Sequence, residues 1–221
     1  MPSPTPILRM KNSSEKILRL ISVLRGARGC AWDRRQTPRT LAPLLIEEAH
    51  EVVEAIERGK SAAVREELGD LLFLVLSIAH AAESKGMLTY RGIVRTTAEK
   101  YISRHPHVFK AKRDLTPGQI LDQWERQKAQ KSRRHPMDGI PVSLPALYQA
   151  KRIYEKASRL GMIRIRKSKT RRSARRIGRR LLKAVRTALE NGVDPERALR
   201  SELRKLRDGF RKVPGSPGRG N

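Results

Sequence analysis

Apolar side chains recur every three or four residues along most of the chain, which is the period of an amphipathic helix. No segment shows the sustained alternation of apolar and polar residues that is typical of a strand. The pattern therefore predicts an all-α protein, built as a helical bundle. The first helix is predicted to follow Ser13-Ser14, and the others to span about 41–58, 61–85, 90–104, 116 onward, 144–160, 172–191 and 195–211.

Glycine and proline residues indicate where helices end and where the chain divides. Gly59 follows the second predicted helix, and its freedom at positive φ suits a C-terminal cap. The segment HPMDGIPVSLP, residues 135–145, contains three prolines and a glycine, which disfavour a continuous helix. We therefore predict a first domain at 1–135, a linker at 136–146, a second helical domain at 147–213 and a disordered tail at 214–221.

The chain is strongly basic, with 49 Lys and Arg against 22 Asp and Glu, a formal net charge of +27. Residues 1–150 carry 25 basic and 16 acidic side chains, whereas residues 151–221 carry 24 and 6. Such an excess favours polyanionic partners, among them nucleotides, nucleic acid and anionic membranes. Arginine enrichment in a GC-rich genome would give the same excess without any partner.

Cysteine content and hydropathy indicate the cellular compartment. Cys30 is the only cysteine, so the chain can form no intramolecular disulfide, and a reducing compartment fits. No stretch reaches the ~18 apolar residues of a membrane span, and the N-terminus lacks the pattern of a cleaved signal. We therefore expect a cytoplasmic protein without a membrane partner.

Carboxylates fall on the apolar stripe of the second predicted helix. Glu48 lies four residues after Leu44 and four before Val52, so its side chain is expected to face the core. Glu47 and Glu51 lie on adjoining surface of the same helix. This stripe is an unusual place for exposed charge, which indicates a site.

The third predicted helix repeats this placement with Glu67 and Asp70, one turn apart among core-directed apolar residues. If the two helices pair antiparallel across Gly59, their carboxylates face each other, and Gly69 would allow a close approach of the backbones. A buried carboxylate without a partner costs several kcal/mol. A hard divalent cation such as Mg²⁺ would compensate the cluster, and a substrate phosphate would complete its ligands. The alternative is a solvated acidic face with Arg58, Lys60 and Arg65 as counter-charges.

The spacing Glu47-Glu48-x-x-Glu51, followed after fifteen residues by Glu67-x-x-Asp70, resembles the EExxE…ExxD signature of the MazG family of all-α nucleoside triphosphate pyrophosphohydrolases. Four further segments resemble family segments in family order, with Ala31 where the family usually has proline. They are GCAWDRRQT at 29–37, ISRHPHVF at 102–109, WERQK at 124–128 and IPVSLPAL at 140–147. The resemblance covers about residues 15–161.

The resemblance implies hydrolysis of a nucleoside triphosphate between its α and β phosphates, giving the monophosphate and pyrophosphate. It implies Mg²⁺, with Mn²⁺ as the alternative ion, and the metal ligands Glu48, Glu51, Glu67 and Asp70. Glu47 would be a further ligand or the catalytic group that orients the attacking water. Metal ions neutralise phosphate charge and lower the pKa of bound water, so no Ser, Cys or His nucleophile is required. Clearance of excess or noncanonical nucleotides is the corresponding biological expectation.

Four further side chains are candidates for substrate binding, at positions that look like nucleotide contacts in the family. Lys100 and Arg104 are one turn apart, so both could reach a triphosphate from one helix face. Trp124 could stack on a base, and Lys128, four residues on, could contact phosphate. The alternatives are a solvated basic face for the three cations and simple packing for Trp124.

The residues after the predicted linker resemble a degenerate second copy of the family domain. RRIGRRL at 175–181 aligns with EELGDLL at 66–72, so that Arg176 and Arg179 stand at the acidic positions, and no EExxE segment precedes them. The second copy therefore cannot bind Mg²⁺ in this way. The resemblance also implies a homodimer or higher homo-oligomer. The competing hypothesis is a catalytically idle, basic helical protein that binds nucleic acid through its C-terminal part.

Overall fold

The structure is a computed structural model that describes residues 13–110, 114–131, 135–166 and 173–212. Within these ranges the chain forms helices and turns without a strand, which confirms the all-α prediction. Packing divides the chain into two compact units, residues 1–103 and 104–221. The helices are α1 Ser13–Arg25, α2 Ala31–Arg35, α3 Pro38–Arg58, α4 Ser61–Glu83, α5 Tyr90–Arg104, α6 Pro106–Phe109, α7 Pro117–Lys131, α8 Ala146–Arg159, α9 Ala174–Glu190 and α10 Pro195–Arg211.

Helix α3 begins three residues before its predicted start at Leu41, because a capping box closes its N-terminus. The Thr37 side chain accepts a hydrogen bond from the amide of Thr40 at 3.2 Å, and the Thr40 hydroxyl accepts one from the amide of Thr37 at 2.9 Å. Pro38 occupies the first helical position, where the missing amide costs nothing and the fixed φ favours the helix. The helix also continues through Pro43.

Helices α3 and α4 form an antiparallel hairpin around the turn at Gly59. This glycine has φ of 68°, in the left-handed region, and its amide donates to the carbonyl of Ile56 at 3.1 Å. A turn this short makes the two helices direct neighbours, and α1 packs against α4 beside them. The buried apolar side chains of this unit are Ile21, Leu41, Val52, Ala55, Leu74, Leu76, Ala79, Ala81 and Ala82.

The loop between α1 and α3 is fixed from α1. The guanidinium of Arg25 donates to the carbonyl of Asp33 at 2.6 Å and to that of Gln36 at 2.9 Å. Gly29 passes so close to α1 that a Cβ there would lie 2.1 Å from the carbonyl oxygen of Leu24. These contacts hold the loop that leads into α3 against α1.

The second unit contains α8 and α10, which pack together with a 3₁₀ turn at Pro136–Gly139. Its core is made by Met137, Ile140, Ala146, Ile153, Ala157, Leu203 and Phe210. The amide of Ala146, at the start of α8, donates to both carboxylate oxygens of Glu196 at 2.8 and 3.0 Å, so a side chain of α10 caps α8. Three of these core residues lie in the segment 136–146, which is therefore packed into the core of this unit.

The two short helices α2 and α6 were not predicted, because five and four residues are too few to show a helical period. The predicted tail at 214–221 lies outside the described residues. In the part of the chain that the structure describes, none of the helices is long and apolar enough to cross a membrane. The compact units meet at 103/104. The predicted bounds of the first domain, the linker and the second domain stay predictions.

Candidate metal centre

Three carboxylates meet on the α3–α4 hairpin. Glu48 from α3 and Glu67 and Asp70 from α4 each offer one oxygen, and these oxygens all lie within 4.8 Å of one another. The hairpin brings them together because Glu48 and Asp70 lie at equal sequence distances from the turn at Gly59. The predicted juxtaposition of carboxylates from the second and third helices is therefore present.

The cluster is partly withdrawn from water. Glu48 and Glu67 are half-buried, whereas Asp70 is exposed. Oε2 of Glu48 is buried and has no hydrogen-bond partner. A buried carboxylate oxygen that lacks a donor carries a large desolvation cost, and a cation at the cluster would remove it.

The neighbouring charges that shift the pKa values of Glu48 and Glu67 are all negative. Partial burial, followed by the charges of Glu51, Asp70 and Glu47, raises the pKa of Glu48 above its ordinary value of 4.5. Partial burial raises the pKa of Glu67 as well, and Glu51 is again the strongest neighbouring charge. Both shifts mean that the protonated forms of Glu48 and Glu67 are favoured more than in a glutamate that is fully exposed to water.

The five predicted carboxylates thus separate into three that converge and two that border them. Glu47 and Glu51 are exposed on α3 and lie outside the converging group, but their charges act on Glu48. Glu51 also acts on Glu67. The roles of these two residues as a ligand and as a catalytic group stay predictions.

Two details bear on the alternative of a solvated acidic face. Arg58, one of its supposed counter-charges, instead pairs with Glu54 at 2.5 Å, four residues earlier on α3. Gly69 was expected to allow a close approach of the two helices, and that expectation was wrong. Gly69 is exposed, and a Cβ built on it would have no atom within 4 Å. The surface beside Asp70 is therefore open, as a site that admits a substrate requires.

The predicted substrate-binding residues lie at the end of α5 and on α7. The ammonium of Lys100 lies 5.4 Å from the centre of the Tyr101 ring. The carbonyl of Arg104 accepts hydrogen bonds from Nε1 of Trp124 at 2.9 Å and from the amide side chain of Gln123 at 3.2 Å. Trp124 also meets the ring of His105 edge-on at 5.2 Å, so it has a packing role whatever its role toward a base. The side chain of Lys128 lies outside the described residues.

Arg25 and Gly29 hold the loop that leads into α3, and sequence reasoning did not single them out. The segment 29–37 was noticed only as a resemblance, without a physical reason for its residues. Nothing in the sequence marks Arg25, because its bonds reach backbone carbonyls of residues that have no characteristic type. Gly29 could have been suspected from its place in the short connection between α1 and α2, since glycine is favoured where backbones approach closely.

The first unit also contains an apolar pocket of 240 Å³ between α3, α4 and the start of α5. Its lining contains no charged side chain that could bind a triphosphate, so this pocket is distinct from the carboxylate cluster. The lining residues are Leu45, Val75, Leu76, Ile78, Ala79, Ala82, Leu88, Tyr90 and Ile93.

The fold and this site define an all-α protein with an acidic cluster suited to a divalent cation. The MazG nucleotide pyrophosphohydrolase domain matches residues 36–109. The "Nucleoside triphosphate pyrophosphohydrolase/pyrophosphatase MazG" of Thermotoga maritima is 36% identical over 219 residues, which cover 90% of this chain and 84% of that protein. The chain belongs to the MazG family.

Other similar proteins cover different shares of this chain. The nucleoside triphosphate pyrophosphohydrolase of Escherichia coli K12 is 37% identical over 155 residues, which are 68% of this chain and 59% of that protein. An uncharacterized 26.1 kDa protein of Streptomyces cacaoi is 33% identical over 205 residues, 90% of this chain and 83% of its own. The crystal structure of a mazG-related protein from Thermotoga maritima aligns with a TM-score of 0.46 and 27% identity over 52% of this chain and 97% of its own.

Proposed function

We propose that this protein hydrolyses nucleoside triphosphates to the nucleoside monophosphate and pyrophosphate, with a divalent cation, Mg²⁺ or Mn²⁺, held by Glu48, Glu67 and Asp70. The observation that carries the proposal is the convergence of these three carboxylates around the unpartnered buried oxygen of Glu48. Membership of the MazG family supports the reaction class. When bound, the cation supplies positive charge to the phosphate oxygens and polarises the attacking water.

The remaining roles follow from position. Glu51 completes the ligand set from the next turn of α3, since its charge already acts on both Glu48 and Glu67. Glu47 orients the attacking water from the solvent side of the cluster, where its carboxylate is exposed. Lys100 and Arg104 contact the triphosphate, Trp124 stacks on the base and Lys128 contacts phosphate. We place the enzyme in the cytoplasm, in clearance of excess or noncanonical nucleotides.

The test is pyrophosphate release by the full chain across a panel of ribonucleoside and deoxyribonucleoside triphosphates, with Mg²⁺, with Mn²⁺ and with EDTA. We expect release that depends on the cation and falls by at least about 100-fold in Glu67→Gln, since even residues that only orient metal ligands cost 10- to 100-fold. Glu57→Gln, the same change at an exposed position of α3, is the matched control and should retain activity. Equal turnover in EDTA, or in Glu67→Gln, would contradict the proposal.

Self-association is the second part of the proposal. The α3–α4 hairpin exposes large apolar side chains to water, which is unfavourable, and a homodimer would bury them. Light scattering on the eluting protein should give the mass of a dimer or a higher oligomer, and a monomer at micromolar concentration would contradict this part. These exposed side chains are Ile46, Val53, Ile56, Leu68, Leu72 and Val75.

The competing function, a catalytically idle protein that binds nucleic acid, is not favoured. All five carboxylates of the family signature are present in the sequence and three of them converge. The relatives with a stated activity are named as nucleoside triphosphate pyrophosphohydrolases. The proposed activity does not account for the basic residues of the C-terminal part. Helix α9 of the second unit carries several of them.

A further inference from the structure

Helix α9 presents an apolar face to solvent. None of its side chains is buried, although the helix is 17 residues long. Five large apolar residues are between 42% and 71% exposed: Ile177, Leu181, Leu182, Val185 and Leu189. At 100° per residue they fall on one side of the helix, together with its alanines. An exposed apolar stripe of this length marks a surface that binds something.

The other side of α9 is cationic. Six basic residues occupy it, and Arg175 and Arg180 lie at its two margins with the apolar stripe. Its one acidic residue, Glu190, pairs with Arg186 at 3.3 Å. The basic residues are Arg175, Arg176, Arg179, Arg180, Lys183 and Arg186, all of them exposed. The helix is therefore amphipathic, with a strongly basic polar face.

The apolar and basic faces together indicate which kind of partner binds α9. A second copy of α9 packed on the apolar stripe would bring the arginines at the margins toward each other, which charge repulsion opposes. A nucleic acid would take the basic face and leave the apolar stripe in water. An anionic bilayer satisfies both, because the apolar side chains enter the boundary of the acyl chains while the basic ones meet the headgroups.

We propose that α9 binds the surface of an anionic lipid bilayer as an interfacial helix, lying in the plane of the membrane. The core of the second unit is formed from the 3₁₀ turn, α8 and α10, so α9 can take up this position without opening that core. The expectation of no membrane partner came from the lack of a spanning segment, which does not bear on a helix that lies in the interface. The proposal is independent of catalysis at the carboxylate cluster.

The test is flotation of the full chain with vesicles of phosphatidylcholine alone and of phosphatidylcholine mixed with phosphatidylglycerol, at low and high salt. The apolar face is tested by Leu182→Asn/Leu189→Asn, at its two most exposed residues. The basic face is tested by Arg179→Gln/Lys183→Gln. The matched control is Val142→Asn/Leu147→Asn, which changes apolar residues elsewhere in the second unit that are also more than half exposed. Circular dichroism and thermal denaturation of each variant check that it is folded.

We expect the wild type and the control to float with the anionic vesicles only, and each α9 variant to bind at least about tenfold more weakly. Binding that the apolar variant leaves unchanged would overturn the proposal, since it would be adsorption by charge alone. Tighter binding to a duplex DNA oligonucleotide than to vesicles, if that DNA binding is lost only in the basic variant, would also overturn the proposal. An oligomer that Leu182→Asn/Leu189→Asn dissociates, without any vesicle binding, would assign the face to a second copy instead.

Discussion

Glu48 and Glu67 extend from adjacent antiparallel helices and place carboxylate oxygens within 4.8 Å of each other, although both are half-buried and both have a raised pKa. Carboxylates at this distance repel each other, and the repulsion is strongest where water is partly excluded. Folding alone does not favour such an arrangement. It becomes favourable when a cation binds, so the hairpin should respond to divalent ions in its stability as well as in its activity.

The first prediction concerns stability in the presence of metal. Saturating Mg²⁺ should raise the melting temperature of the wild type by about 5 °C or more relative to EDTA, because a ligand that binds only the folded state stabilises it. Glu67→Gln should lose most of this response, whereas Glu57→Gln should keep it. Thermal denaturation followed by circular dichroism measures the shift. An equal response in all three proteins would place the ion elsewhere.

The second prediction is a pH dependence whose sign follows from the pKa shifts. Because the pKa values of Glu48 and Glu67 lie above 4.5 in the folded chain, both groups bind protons more tightly there than in the unfolded chain. Their contribution to stability is therefore fully present below pH 4.5 and is lost as the pH rises through the raised values. In EDTA, the melting temperature of Glu67→Gln minus that of the wild type should increase from acid to neutral pH.

Magnesium reverses this dependence, because carboxylates bind the ion in their deprotonated form. The affinity of the wild type for Mg²⁺ should rise over the same pH range in which stability in EDTA falls. Isothermal titration calorimetry at several pH values measures it. A difference between Glu67→Gln and the wild type that stays constant with pH would show that the cluster does not titrate as described.

The third prediction contrasts two glycines with opposite surroundings. A Cβ on Gly29 would lie 2.1 Å from the carbonyl oxygen of Leu24, so Gly29→Ala must move backbone and should lower stability by several kcal/mol. A Cβ on Gly69 meets nothing within 4 Å, so Gly69→Ala should raise stability by about 1 kcal/mol through helix propensity. Urea unfolding measures both. If Gly69→Ala also lowers activity, the open space beside Asp70 is where substrate binds.

The hairpin and its carboxylates could be predicted because their signals are local. Helical period, the Gly59 cap and the place of Glu48 on the apolar stripe are all contained within a few turns of sequence. Gly69 and the segment 136–146 could not be predicted in the same way. What surrounds a glycine, or whether a proline-rich segment packs as Met137 and Ile140 do, depends on contacts between residues distant in sequence. The position of the Glu51 side chain could not be predicted either. Its spacing matches the family motif, but the side chain lies outside the converging group.

The fourth prediction separates two roles of Trp124. Its Nε1 donates to the carbonyl of Arg104 and its ring meets His105, so both Trp124→Phe and Trp124→Ala should lower the melting temperature. Stacking on a substrate base needs only the aromatic face, which Trp124→Phe retains. Trp124→Ala should therefore raise KM by roughly 5- to 150-fold, the equivalent of the 1–3 kcal/mol that base stacking contributes, with little change in kcat. Trp124→Phe should leave KM near that of the wild type, and an unchanged KM in Trp124→Ala would restrict this residue to packing.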